Sequence, residues 1–245
     1  MKKIGLVVGS RNAPMISDFR KICGDMVSIH FTRETFGLGS RSSELRPYTR
    51  DEVEEGMNAV LKGVREAAAR LANADIDLLV YGCMTWSFMK ADADERIVRA
   101  VKEESGISVI TAANALIKAL RKLKIHKVSV GTPYQPDVDE KLKAFLNQND
   151  FGIAKLKGLN SPVSEHAKIT HEVIYNLAKE VNVPEADGVL ISCTQLRVVD
   201  IIQRLEDDLR KPIVSPNQAS AWLALREIGI HQGINGFGRL LGYNP

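Results

Sequence analysis

Three cysteines in 245 residues is an odd number, and no two stand at short spacing. A disulfide framework is therefore not expected, and the expected setting is reducing and cytoplasmic. Metal sites lack their usual signatures. Neither CxxC nor HExxH occurs, and His166 and His171 stand five apart, off a common helix face. No apolar run approaches the roughly 18 to 20 residues of a membrane helix. The opening MKKIGLVVGS has a short apolar stretch, Ile4 to Val8, and no small-residue cleavage site, so it reads as a strand and not as a signal peptide. An excess of one charge is missing too: 33 basic against 30 acidic residues leave +3. That balance argues against nucleic acid and anionic membrane as partners. The glycine-rich stretches fail as nucleotide motifs. GFGRLLG (236–242) lacks the dinucleotide-binding spacing, and GLGSRSS (37–43) has no lysine for a phosphate loop and reads as a flexible segment or lid. No Ser-His-Asp arrangement stands out.

What remains is an ordinary globular composition, 44% hydrophobic and 26% charged, long enough for one large domain or two lobes. Strand-length apolar runs at 3–9, 26–31, 77–82 and 107–111 alternate with helical patterns. The pattern restarts with strands at 126–134, 153–157, 188–192 and 212–215. Thr49 and Glu52 form a capping box for an amphipathic helix carrying Val53, Met57, Val60, Leu61, Val64, Ala68 and Leu71 on one face. Further helices are expected at 92–104, 114–123, 137–148, 164–181, 196–210 and 217–228. Such alternation implies an α/β fold of parallel sheets covered on both faces.

The two halves echo each other. KIGLVVGS pairs with KVSVGT, and ALRKLKI (119–125) with ALREIGI (224–230). DLLVYGC pairs with DGVLISC, where Asp77 stands six before Cys83 as Asp187 stands six before Cys193. The expected architecture is two pseudo-symmetric lobes, each with a parallel four-stranded sheet flanked by helices. Residues 1–117 with 218–245 would form the first lobe and 118–217 the second.

Ligands of open parallel sheets bind beyond the carboxyl ends of the strands. Four such ends carry suggestive residues: Ser10 and Asn12, then Cys83, Thr85 and Ser87, then Thr132 and Tyr134, and finally Ser192, Cys193, Thr194 and Gln195. A single cysteine at a strand end is usually structural, and Cys23 reads as core filler. Two in corresponding positions, each followed by hydroxyl or amide residues, point to a pair of thiols on opposite walls of one cleft. Such a pair suits inversion of a carbon centre, or reversible thiolate addition to an activated alkene. Backbone N–H groups and hydroxyls at the loop-to-helix junctions would hold the negative charge and lower the thiol pKa.

At these residues the chain resembles the aspartate/glutamate racemase superfamily, in the branch holding maleate cis-trans isomerase and arylmalonate decarboxylase. YGCMTWSF, GTPYQPDVDEKLKAFL, GVLISCTQL and GFGRL carry the resemblance, in family order. It implies two Rossmann-like lobes with the active site between them, and no metal or organic cofactor. It also implies a small carboxylate or dicarboxylate substrate. Decarboxylases of this branch keep a cysteine matching Cys193 and a glycine where Cys83 stands; racemases and isomerases keep both thiols. By the same resemblance Cys83 is the nucleophile, Cys193 handles the proton, and Asn12 and Tyr134 bind carboxylates. Thr85, Thr194, Ser10 and Gln195 complete the expected binding set. Met84 replaces a threonine common in the isomerases, and Trp86 adds bulk near the site. An isomerase asparagine ahead of the sixth strand-helix unit has Asn160 and Ser164 as imperfect counterparts. The expectation is an isomerase of a small carboxylate. The alternatives are a racemase of amino or hydroxy acids, an arylmalonate-type decarboxylase, and a binding protein that lost the chemistry. A homo-oligomer is the prior expectation for its assembly.

Overall fold

Two sheets with one strand order between them organise the chain. The first runs β2 (Ser28–Glu34), β1 (Lys3–Gly9), β3 (Leu78–Gly82), β4 (Val109–Thr111); the second runs β6 (Gly152–Gly158), β5 (Lys127–Thr132), β7 (Gly188–Ile191), β8 (Ile213–Val214). Every pairing is parallel. These are findings from a computed structural model that describes residues 1–34 and 44–242. The expected lid at 37–43 lies outside the described residues.

The helices are α1 (Pro14–Cys23), α2 (Arg50–Ala72), α3 (Met84–Phe88), α4 (Ala93–Ser105), α5 (Ala112–Lys122), α6 (Pro136–Gln148), α7 (His171–Val181), α8 (Ile202–Leu209) and α9 (Pro216–Glu227). The Thr49 capping box forms as expected, and α4 stops at Gly106 in a left-handed cap. Two helix expectations need correction. The single helix expected over 164–181 is broken. Residues Val163–Lys168 form a 3-10 helix, and Thr170 then caps α7 by accepting from Val173 N–H. The helix expected from 196 begins only at Ile202, after a turn and a short 3-10 segment at Val199–Ile201.

Alternation along the strands splits the core. Val7, Leu79 and Tyr81 face α2 and α4 and pack with Met57, Val60, Val64, Ile97 and Val101. Ile4, Leu6, Val8, Leu78 and Val80 face the other way, into an apolar cluster continuous with Val128, Val130 and Leu190 of the second sheet. Each fully buried aliphatic side chain there contributes roughly 1.5–3 kcal/mol relative to exposure. The lobes thus share one core beneath the cleft. Helix α9, buried along almost its whole length, packs on α1 and α5.

The echo seen in the sequence has a physical basis. Asp77 accepts from Lys3 N–H, and Asp187 from both His126 and Lys127 N–H, so each carboxylate ties the start of its sheet's central strand. Helices α5 and α9 end alike: Lys124 and Gly229 take positive φ, and Ile125 and Ile230 N–H return to Leu120 and Leu225 C=O.

Candidate active site

In each sheet the order reverses between the first and third strands, β1/β3 and β5/β7. That is the topological switch point where open α/β sheets leave a crevice. Asn12 follows β1 and Cys83 follows β3; Tyr134 follows β5 and Cys193 follows β7. All four line one cavity of about 90 Å³ between the lobes. Ser10, Thr85, Thr194 and Gln195 line it as well, whereas Ser87, Thr132 and Ser192 do not. A cavity of this size suits a small ligand. Cys23 is buried in the core and apart from it, with its thiol pushed up to about 12 by burial.

Gly82 explains the tight junction. A Cβ there would sit 2.3 Å from the Met15 sulfur, so the Met15 side chain of α1 packs on β3 in space that a side chain at 82 would take. The Gly82 carbonyl then becomes a shared acceptor. Asn12 Nδ2 donates to it at 3.3 Å and to Thr194 Oγ1 at 2.9 Å, and Thr194 Oγ1 donates to it at 3.2 Å. Asn12 Oδ1 accepts from Met15 N–H in the first turn of α1. This triangle clasps the two lobes across the cavity floor. Asn217 Nδ2 extends it, donating to Thr194 C=O at 3.0 Å and to the buried Asp18 at 2.7 Å.

The two thiols have parallel surroundings. Burial raises both pKa values above the ordinary thiol range, that of Cys193 to about 12. Against this, the nearby N–H groups of Trp86 and Thr85 and the hydroxyl of Tyr81 favour the Cys83 thiolate. The N–H groups of Gln195 and Leu196 and the hydroxyl of Tyr134 favour the Cys193 thiolate. Each thiolate is therefore favoured by two backbone N–H groups, two and three residues ahead, and one tyrosine, and at Cys193 the Gln195 N–H donates to the sulfur at 3.4 Å. The expected lowering of the thiol pKa is overturned, because desolvation outweighs these donors. The junctions differ from expectation too. Cys83 leads into the five-residue α3, whereas Cys193 leads into a turn and the helical segments behind it begin only at Val199.

The asymmetries lie around Cys193. Its φ is 131°, a left-handed-side value that side chains rarely adopt. Such a conformation costs of order 1–3 kcal/mol and persists where the surroundings enforce it. His166 Nδ1 stands 3.8 Å from the Cys193 sulfur, and its Nε2 lies 3.0 Å from Ser161 C=O. Burial drives the imidazole pKa down to about 4, so it is neutral. Tyr134 is buried, its hydroxyl 3.5 Å from Ser192 Oγ and its ring 5.9 Å from that of His166.

Trp86 lines the cavity, near the site as expected, and its ring is buried and fills the space left by Gly56 on α2. Asn160 and Ser164 do not line the cavity; Ser161, Val163 and His166 do. Arg11 lines the mouth and, among the described residues, is the one permanently charged side chain of the lining. Gln195 Oε1 is buried and makes no hydrogen bond among the described residues. His166 and Arg11 were missed by sequence reasoning. A buried histidine inside the polar run SPVSEHAK leaves no periodic signal, and Arg11 was passed over between Ser10 and Asn12.

Comparisons with known proteins agree with this geometry. The family profile described as arylmalonate decarboxylase matches residues 48–241. An arylmalonate decarboxylase from Bordetella bronchiseptica is 27% identical over 92% of this chain and 90% of its own length. A maleate isomerase from Nocardia farcinica is 25% identical over 98% and 96%. A solved structure of Nocardia farcinica maleate cis-trans isomerase, a variant with a covalently bound succinylcysteine intermediate, superposes with a TM-score of 0.86. It shares 24% identity and covers all of this chain and 99% of the other. The chain belongs to the arylmalonate decarboxylase family, within the branch that also holds the maleate isomerases.

Proposed function

We propose that this protein is a cis-trans isomerase of a small unsaturated dicarboxylate of the maleate type, working through two thiols of unlike role. The observation that carries the reading is the meeting of Cys83 and Cys193, from corresponding switch points, in one small cavity with amide and hydroxyl donors around it. The family's maleate isomerases, and the succinylcysteine intermediate of the Nocardia farcinica enzyme, support it.

The chemistry follows from the two walls. The Cys83 thiol first releases its proton to solvent; its thiolate then bonds to one alkene carbon, and the π electrons move onto the neighbouring carbon and its carboxylate. Cys193 delivers its proton to that carbon, leaving a succinyl thioether with a rotatable single bond. After rotation the Cys193 thiolate takes the proton back, the carbon–sulfur bond breaks, and the trans alkene departs. Cys193, its pKa pushed up to about 12, starts protonated as this role requires. Asn12, Tyr134, Thr85, Thr194, Ser10 and Gln195 would hold the carboxylates, with Arg11 at the mouth adding positive charge.

Proton NMR of maleate with the purified protein tests this. Appearance of fumarate, lost in Cys83→Ala, supports it. A single thiol at Cys193 also suits protonation of the enediolate left by decarboxylation, the reading favoured by the Bordetella bronchiseptica relative. Carbon dioxide release from a malonate-type acid that survives Cys83→Ala would select that reading. Deuterium uptake at the α-carbon of an amino or hydroxy acid in heavy water would select racemisation.

A further inference from the structure

Two nitrogens of His166 face two different partners, and the partners decide where its proton sits. Ser161 offers a carbonyl oxygen, which only accepts, so Nε2 at 3.0 Å must carry the hydrogen. In the neutral ring Nδ1 is then bare, and it is Nδ1 that stands 3.8 Å from the Cys193 sulfur. A bare nitrogen accepts a thiol hydrogen and repels a thiolate. The ring is fixed in place: His166 is 3% exposed, sits in the 3-10 helix Val163–Lys168 and lies against Tyr134. Among the described residues lining the cavity no second imidazole stands at Cys83, and the Tyr81, Thr85 and Trp86 groups near that sulfur are donors.

We infer that His166 is a positioning residue that keeps the proton on Cys193, and that it thereby assigns the acid role to this thiol and the nucleophilic role to Cys83. The inference rests on the two-thiol reading above. Once Cys193 has given its proton to carbon, the bare Nδ1 destabilises the thiolate beside it. The thiolate is then a stronger base for the return step. No proton is created or lost: it moves from sulfur to carbon and back. Other titratable groups facing the pair are Tyr134 and, across the cavity, Cys83. Glu165 and Lys168, on the same turn, pair with each other at 2.8 Å at the surface.

Histidine ring ¹⁵N NMR of the intact protein, without substrate, tests the tautomer directly. The expected result is a neutral His166 with hydrogen on Nε2 from pH 5 to 8. An imidazolium at pH 7, or hydrogen on Nδ1, overturns the inference. The second readout is the pH dependence of iodoacetamide labelling at Cys193 in the Cys83→Ser background. His166→Gln and His166→Phe both remove the bare nitrogen while filling the space. Each is expected to raise Cys193 labelling at a given pH about tenfold, and an unchanged midpoint in both overturns the inference. Neither readout requires turnover, so a protein inactive on maleate would refute the proposed substrate and leave this result standing.

Discussion

The walls that carry Cys83 and Cys193 are built to one plan and finished differently. Both thiols follow the third strand of their sheet, and at each two backbone N–H groups and a tyrosine hydroxyl favour the thiolate. Cys83 sits on relaxed extended backbone, φ −136°, at the start of a short helix and partly open to the cleft. Cys193 is buried, held at φ 131°, and faced by the bare nitrogen of His166. Duplication supplies two equivalent thiols. On the proposed mechanism, the local backbone and one histidine then separate an attacking group from a proton carrier.

The largest effects should come from the thiols themselves. Cys83→Ser and Cys193→Ser are each expected to lower kcat by about a thousandfold or more, as loss of a nucleophile or an acid–base group does. The serine variants should fail at different stages: steady-state kinetics with acid quench should find bound adduct only in Cys193→Ser. Equal failure before any adduct would erase the distinction between the walls.

Next comes the buried support under the Cys193 turn. Asp18 has its pKa raised to about 7 from an ordinary 3.8, chiefly by burial and against the Asn217 hydrogen bond. The folded state thus favours the proton. The stability this group contributes is complete below about pH 4 and is lost as pH rises to 7. Asp18→Asn is expected to raise stability at pH 8 by at most about 4 kcal/mol and to leave it unchanged at pH 4. Urea denaturation at the two pH values measures this.

Backbone strain separates the walls more gently. Cys193→Gly should be about 1 kcal/mol more stable than Cys193→Ala, because glycine tolerates the positive φ. At Cys83 the order should reverse, since extended backbone there gives glycine no such advantage. Thermal unfolding of the four variants compares them. The smallest effect is where the lobes are alike. Asp77 is held below the usual carboxylate range by the Lys2 ammonium and the Lys3 N–H, and Asp187 by the Lys127 and His126 N–H groups. Asp77→Asn and Asp187→Asn should each give a slight fall in Tm at pH 7. For both, the difference from wild type should shrink as pH falls through the folded carboxylate pKa.

The features legible in the sequence were those fixed by local chemistry or by periodicity. Strand alternation gave both sheets, Thr49 and Glu52 gave the α2 capping box, and the spacing of aspartate and cysteine gave the echo that pairs Cys83 with Cys193. Strand ends at a switch point converge in space, so both thiols and the expected binding set met in one cavity. What escaped depends on tertiary contact. The break before α7 lies in a run whose apolar spacing stays helical across Ile169, although Thr170 carried the capping signal. The φ of Cys193 is imposed by packing, and no residue type announces it. His166 reaches Cys193 from 27 residues away because the 3-10 turn carries it under the cleft. Trp86 lines the cavity as expected, but the pocket that seats its ring escaped, because it is the absence of a side chain at Gly56, on a helix brought near only by the fold.

One measurement bears most directly on the unlike roles of the two thiols: peptide mapping by mass spectrometry after maleate is incubated with the Cys193→Ser and Cys83→Ser variants and quenched in acid. The expected result is one added maleic acid on the peptide containing Cys83 in Cys193→Ser, and none in Cys83→Ser. An adduct on Cys193, or none in either variant, would contradict the assignment.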